Sequence, residues 1–144
     1  MNRFFSIFTV SLCFAICMSC GSLNSGNQHI HRQWMLISYK NFSKEDLIKN
    51  KAQINLTKIS EPAKIAGTAF VGCNRMFFNA EVKSKKRIEI SGLGSTLMAC
   101  EKMELESQFS KDFEQMENFV IEGHFLTLYD KKGNKMKFVA ADWD

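Results

Sequence analysis

The chain has 144 residues, of which 45% are hydrophobic, 12% aromatic and 24% charged, with a net charge of +4. This hydrophobic content suffices for one small core and argues against intrinsic disorder. A mild positive charge at this length does not indicate a nucleic-acid partner, and we expect none.

The N-terminal residues 1–19 are typical of an export signal. Arg3 supplies a positive charge, and residues 4–18 form a mostly apolar run that is shorter than the roughly 20 residues of a membrane span. The run ends in a serine followed by Cys20, which is similar to a bacterial lipobox, although Cys17 stands where leucine is usual. We therefore expect Cys20 to become the lipidated first residue of the mature protein. An ordinary cleaved signal with a chance cysteine is the alternative.

Residues 20–32 are predicted to form a flexible tether, and residues 33–144 the folded domain. The tether is dominated by Ser, Asn, Gln, Gly and His, without an apolar pattern that would bury it. His29 and His31 are compatible with a metal-binding arm, but two histidines in a linker are more often a solvated spacer, and we expect no metal. The small polar residues after Cys20 favour sorting to the outer membrane, facing the periplasm.

The domain is predicted to open with a strand at residues 33–40, which carries apolar side chains on both faces. Such a strand is covered on both sides or turns a barrel corner. A short helical turn is expected at residues 41–48, with Ser43 as its N-cap and Asp46 three residues later. Residues 52–57 then alternate between apolar and polar side chains, which predicts a strand with one face in water.

Pro62 separates this strand from the next, which is predicted at residues 65–71. Within it, Gly67 indicates a bend or the close approach of another chain segment. A strand at residues 76–82 pairs back. Asn74 lies in the connection, where its side chain is able to bond to its own backbone and suits a tight turn.

A basic turn at residues 83–87 leads into a further strand with Ile88 and Ile90, which Gly92 and Gly94 loosen towards its end. The basic residues are compatible with contact to anionic lipid head groups near the tether. A solvated turn between two strands is the commoner explanation of such a charge run.

The clearest local pattern predicts an amphipathic helix near residues 102–117. Leu105, Phe109, Phe113 and Met116 recur at helical spacing and form a single apolar stripe. We expect this stripe to pack on the sheet as part of the core, and we expect no cofactor there.

Three strands are predicted at the end of the chain, at residues 118–122, 124–129 and 136–140, with Gly133 in the last hairpin loop. Consecutive antiparallel strands with one long helix predict an α+β fold. In this fold a curved, mostly antiparallel sheet, open or barrel-like, is covered by the amphipathic helix.

A set of residues between positions 34 and 139 recurs in the order expected for one known family. These residues are Trp34, Gly72, Cys73, Asn74, Thr96, Met98, Cys100, Glu106, Phe109, Gly123, Leu126, Leu128 and Gly133. They resemble the META domain, an HslJ-like family of bacterial lipoproteins. The resemblance implies a stress-related protein of the cell envelope but no known reaction. Leu97 departs from the family, where arginine is common, so any binding role of that arginine would be lost.

Cysteine usage fits this resemblance. Cys13 and Cys17 belong to the predicted signal and Cys20 would take the lipid, so Cys73 and Cys100 remain as one pair in an exported chain. A disulfide between them would stabilise the domain by roughly 3–4 kcal/mol in the chain-entropy model. Two buried free thiols are the alternative.

Catalytic motifs are absent from the sequence. It contains no Gly-x-Ser-x-Gly, no HExxH, no phosphate loop and no CxxC. Cys73 as a nucleophile would need a nearby base, and Glu106 is expected to make a contact within the fold rather than to bind a ligand. We therefore expect no catalytic residue and no enzymatic activity.

Two functional hypotheses remain. The first is a non-catalytic envelope lipoprotein that binds another envelope component, with a membrane anchor at Cys20. The second is a periplasmic carrier or chaperone that holds an apolar ligand or a partner's strand. An apolar cavity open to solvent would favour the carrier, and a filled core would favour the interaction module.

Overall fold

The computed structural model describes residues 28–101 and 103–143. The predicted signal at residues 1–19 and the lipidation site Cys20 lie outside the described residues. In the described part of the chain, no helix is long and apolar enough to cross a membrane.

Two α-helices and nine β-strands follow a short 3-10 helix in the described residues. Their bounds are β1 Gln33–Tyr39, α1 Lys44–Lys49, β2 Gln53–Asn55, β3 Ile59–Glu61, β4 Lys64–Phe70, β5 Arg75–Val82, β6 Ile88–Ser95, α2 Glu104–Phe113, β7 Asn118–Glu122, β8 Phe125–Tyr129 and β9 Lys135–Ala140.

Eight strands form one curled antiparallel sheet in the order β6–β5–β4–β2–β1–β9–β8–β7, and β3 pairs with β4 beside this path. The sheet is a half-barrel whose inner face carries the apolar side chains. The predicted α+β class with a curved antiparallel sheet is therefore confirmed. The strand β3 was not predicted, since its side chains are all exposed and its sequence has no alternation.

The two edge strands of the half-barrel meet at one end. The Ile88 N–H donates to the Glu117 carbonyl at 3.0 Å, and the Phe119 N–H donates to the Lys86 carbonyl at 2.9 Å. These bonds join the start of β6 to the start of β7, so the sheet is drawn together at this end.

Helix α2 lies over the inner face of the sheet, as its apolar stripe predicts. Phe109 and Phe113 are fully buried, with their ring centroids 5.0 Å apart. Phe113 packs edge-on against Phe78 of β5 at 4.8 Å, and Phe109 packs against Tyr39 of β1 at 6.2 Å. Burial of such rings is the main stabilising term for a helix of this length.

Helix α2 is shorter than the predicted segment 102–117. It begins at Glu104, where Met103 provides no capping hydrogen bond from its side chain, and it ends at Phe113. Met116 is nevertheless buried, because the turn after the helix keeps its side chain against the core. The apolar stripe therefore extends beyond the helix that it marks.

Phe78 also explains the glycine in the middle of β4. Its ring packs directly on the backbone of Gly67, where a Cβ atom would have no room. The close approach predicted at Gly67 is therefore confirmed, and Phe78 fills the space between the sheet and Phe113.

Strand β1 differs from its predicted two-sided alternation. Trp34 and Leu36 face the core, but the register with β9 shifts between Leu36 and Ser38. This bulge turns Ser38 outward and brings Tyr39 into the core. Simple alternation from Trp34 and Leu36 would instead place Ser38 inside and Tyr39 outside.

The predicted tether boundary at residue 32 is too late. Residues Gln28–Ile30 form a turn of 3-10 helix, and Ile30 is fully buried. The indole N–H of Trp34 donates to the Ile30 carbonyl at 2.9 Å. A single apolar residue in a polar segment has no periodicity, so the sequence pattern did not reveal this anchor.

Candidate functional site

The site is built on the turn between β4 and β5. Gly72 has a φ of +123°, a backbone conformation that residues other than glycine rarely adopt. A Cβ atom at this position would also lie only 2.6 Å from the Asn50 side chain. Asn50 ends helix α1, where its side-chain amide donates to the Asp46 carbonyl at 2.8 Å. Glycine therefore lets the turn pack against the end of α1.

Asn74 is buried at the centre of the site. Its side-chain oxygen accepts from the Met98 N–H at 2.7 Å and from the Thr96 hydroxyl at 2.8 Å, and its amide donates to the Met98 carbonyl at 3.1 Å. The side chain thus pairs with both backbone groups of Met98, as a neighbouring strand would. The predicted role of Asn74 as a turn residue bonded to its own backbone is corrected accordingly.

Glu106 holds Asn74 from the other side. One carboxylate oxygen accepts from the Asn74 backbone N–H at 2.6 Å, and the other accepts from the Asn74 side-chain amide at 2.8 Å. Glu106 lies in the first turn of α2, where a carboxylate is favourable, and it is 5% exposed. These matched donors offset the cost of burying the carboxylate, as expected for a contact within the fold.

Thr96 ties the end of β6 to the start of β5. Its hydroxyl accepts from the Arg75 N–H at 3.1 Å, and its own N–H donates to the Arg75 carbonyl at 3.0 Å. We call Asn74, Thr96 and Glu106 together the polar node.

A disulfide holds the chain segment that follows Thr96 near its other end. Cys73 and Cys100 are joined with their Cα atoms 6.3 Å apart, across 27 positions of sequence. The predicted pairing is therefore confirmed. The segment 96–101, which we call the Leu97 loop, is held by the polar node at its start and by the disulfide near its end.

The restrained loop presents apolar side chains to solvent. Leu97 is 96% exposed and Met98 is 56% exposed, although the backbone of Met98 is bonded to a buried residue. Met103, just beyond the loop, is 37% exposed. The residues that fix the loop are thus inside, and the residues that it displays are outside.

A shallow groove of about 510 Å³ adjoins the loop between the two helices. It combines acidic and apolar side chains. The lining residues are Phe42, Asp46, Asn50, Glu101, Met103, Glu104 and Leu105.

A comparison with known protein families matches residues 27–143 to the META domain. The chain belongs to the META domain family. The resemblance read from the Gly72-Cys73-Asn74 segment and from residues 96–100 is therefore confirmed. No curated protein matches the chain.

Two structures determined by NMR share the fold of this META domain. A protein from Burkholderia xenovorans has 16% sequence identity and a TM-score of 0.60, with 78% of this chain and 83% of that chain covered. A second protein has 20% identity and a TM-score of 0.61, with 83% of this chain and 97% of that chain covered. At these identities the similarity shows the shared fold alone.

Most META positions picked from the sequence meet in this one site. The structure brings together Gly72, Asn74, Thr96, Met98 and Glu106, along with the cysteine pair. Trp34 is the exception, because it lies in β1 between Ile54 and Ala140 and packs in the core.

A second polar contact, which sequence reasoning missed, links β1 to α2 of this META domain. The Tyr39 hydroxyl donates to Asp112 at 2.7 Å, and the Lys40 ammonium approaches the same carboxylate oxygen at 2.6 Å. Burial and the bond to Asp112 raise the pKa of Tyr39 well above its usual range. Burial alone would raise the pKa of Asp112, but the bonds from Lys40 and Tyr39 lower it below its usual value.

His29 and His31 precede β1, and His124 lies between β7 and β8. His124 stacks on Trp143 with the ring centroids 4.8 Å apart. Over residues 28–101 and 103–143, no group of three or more His, Cys, Asp or Glu side chains is placed to hold a metal ion.

Proposed function

We propose that this META domain protein is a non-catalytic, lipid-anchored interaction module of the bacterial cell envelope, whose Leu97 loop binds another envelope component. The observation that carries the proposal is the 96% exposure of Leu97 on a loop that the polar node and the disulfide restrain. A single exposed leucine is ordinary. A restrained loop with Leu97, Met98 and Met103 loses little conformational entropy on binding, which favours association.

The saturation of the polar node supports a non-catalytic role. Both carboxylate oxygens of Glu106 and both polar side-chain atoms of Asn74 are engaged in internal hydrogen bonds. Cys73 is oxidised in the disulfide. Proton transfer or nucleophilic attack requires a group that is free to approach a substrate, and these groups are committed to the fold.

The packing under α2 weighs against the carrier hypothesis. Phe78, Phe109 and Phe113 fill the space between helix and sheet, and all three are buried. The grooves found among residues 28–101 and 103–143 are shallow and lie on the surface. An apolar ligand placed between α2 and the sheet would therefore have to displace these core side chains.

The envelope location rests on Cys20 and is supported by the Cys73–Cys100 disulfide, since such bonds persist in oxidising compartments. Cys20→Ala should leave an unprocessed precursor that takes up no labelled fatty acid. Normal processing and unchanged partitioning into detergent would rule out the anchor.

The binding role is tested by crosslinking in cells. A photoreactive amino acid replaces Leu97 in the full-length protein, and a matched variant carries it at Ile59, an exposed apolar residue of β3 that is 56% exposed. We expect a discrete adduct from position 97 that position 59 does not give. Asn74→Ala, which removes the bonds to Met98, should weaken the adduct at position 97. Equal labelling from both positions would contradict the proposal.

A further inference from the structure

The outer face of the sheet carries a second groove, separate from the surface of the Leu97 loop. It has a volume of about 410 Å³ and crosses strands β1, β2, β4 and β5. Strand pairing sets Gln33, Asn55 and Thr68 side by side in one row. The next row along the strands places Phe70 between its two partners, Gln53 and Arg75.

The groove is cationic. Its charged lining residues are Lys51 and Arg75, and no acidic residue lines it. Neither cation has an acidic partner within salt-bridge distance in the described part of the chain, whereas Arg32 pairs with Asp142 and Arg87 approaches Glu117. An exposed guanidinium without a partner offers a planar pair of donors that matches a carboxylate.

The polar node fixes the position of Arg75. The backbone N–H and carbonyl of Arg75 are both bonded to Thr96, and Asn74, the residue before Arg75, is buried against Glu106. The Arg75 side chain itself is on the outer face of β5 and is exposed. The guanidinium therefore extends from a rigid backbone, so that less conformational entropy is lost when a ligand binds.

The rest of the groove suits hydroxyl groups. Gln33 donates to Gln53, and the Asn55 side-chain oxygen accepts from Thr57 at 2.9 and 2.7 Å, which leaves the Asn55 amide as a donor. The Thr68 hydroxyl adds a group that both donates and accepts. Neutral amides and hydroxyls of this kind match the alternating donors and acceptors of a sugar ring.

Phe70 supplies an apolar surface in the same groove. Its half-buried ring lies between strands that carry Gln53 and Arg75. An aromatic face beside polar groups complements a pyranose ring, because the ring has an apolar C–H face and polar hydroxyl groups around its edge.

We propose that this groove binds an acidic saccharide. Its carboxylate pairs with Arg75 and Lys51, its hydroxyls bond to the amides and to Thr68, and its ring covers Phe70. This inference goes beyond the proposed interaction module, since it assigns a ligand to a surface other than the Leu97 loop.

The test uses the full-length protein in detergent and isothermal titration calorimetry. The probes are tetragalacturonate, the neutral maltotetraose of the same length, and acetate as an anion without a ring. We expect saturable binding of tetragalacturonate, at least about tenfold weaker binding of maltotetraose, and no saturable binding of acetate. Comparable binding of maltotetraose or acetate, or no binding of tetragalacturonate, would overturn the proposal.

Two arginine variants locate the site. Arg75→Gln should weaken tetragalacturonate binding at least about tenfold, and Arg87→Gln, which changes an exposed arginine outside the groove, should change it less than about twofold. Equal losses in both variants would show a general charge effect and contradict the assigned groove. Neither variant should alter the adduct at position 97, so failure of this inference is distinguishable from failure of the interaction module.

Discussion

Helix α2 takes part in two buried regions that are built in different ways. Its Phe109 and Phe113 belong to an apolar core, and its Glu106 belongs to the polar node. The core is held by the removal of apolar area from water, which is non-directional and tolerates substitutions that conserve volume. The node is held by hydrogen bonds, which depend on distance and angle and are lost when one partner is replaced.

The two regions therefore have different roles: the core stabilises the fold, and the node positions the exposed loop. A hydrogen bond contributes about 0.5–1.5 kcal/mol net, whereas burial of an aromatic ring contributes more. The core therefore supplies most of the folding free energy. The node supplies the geometry that keeps the Met98 backbone inside while Leu97 remains 96% exposed.

The largest effect is expected in the core. Phe109→Ala removes a fully buried ring and leaves a cavity, which should lower the free energy of unfolding by about 3–5 kcal/mol. Lys111→Ala, on the exposed side of the same helix, should cost less than about 0.5 kcal/mol. Urea melts of the two variants measure this contrast. Equal, small losses would mean that Phe109 does not seal the sheet.

The disulfide is expected to contribute nearly as much. Reduction of Cys73–Cys100 should lower stability by roughly 3–4 kcal/mol, because the cross-link removes conformations from the unfolded chain. Thermal melts with and without reductant measure this loss. An unchanged melting temperature after complete reduction, verified by mass, would refute it.

The polar node should respond to a change of a single atom. Glu106→Gln replaces one acceptor by a donor that faces the donors of Asn74, which should cost about 1–3 kcal/mol. Glu104→Gln, at an exposed position one half-turn earlier, should cost less than about 0.5 kcal/mol. If chemical denaturation finds the two variants equally stable, the carboxylate is not needed as a double acceptor.

The smallest effect concerns pH. The folded state raises the pKa of Tyr39, so the neutral phenol is favoured there, while the unfolded phenol ionises near pH 10. Its contribution to stability is therefore complete below about pH 10 and is lost as the pH rises further. Unfolding measured between pH 8 and pH 11 should show a flatter profile for Tyr39→Phe. Parallel profiles for the two proteins would contradict a raised pKa of Tyr39 in the folded state.

The core was predictable because its signals are local. The spacing of Leu105, Phe109 and Phe113 predicts the stripe, and the alternation at residues 52–57 predicts which face of that segment is buried. The inward turn of Tyr39 was not predictable, since it depends on a bulge against β9. Periodicity describes one segment and not its register with another.

The node was predictable in its members but not in its bonds. Family positions identified Asn74, Thr96 and Glu106, and the structure places them together. The three partners Thr96, Met98 and Glu106 lie 22 to 32 positions from Asn74 in sequence, so local turn chemistry suggested a bond to its own backbone instead. Such contacts depend on the completed sheet. The groove with Arg75 was missed for the same reason, because its residues come from four strands and from the turn before β2.

The central claim is that the Asn74 side chain holds the Met98 backbone while the loop displays its side chains. Amide hydrogen exchange tests it directly, because the Met98 N–H donates to Asn74 at 2.7 Å, and no acceptor is found for the Leu97 N–H in the described part of the chain. We predict slow exchange at Met98 beside fast exchange at Leu97, with the protection of Met98 lost in Asn74→Ala while amides of β8 and β9 stay protected. Equally fast exchange at Leu97 and Met98 in the unmodified protein would contradict the account.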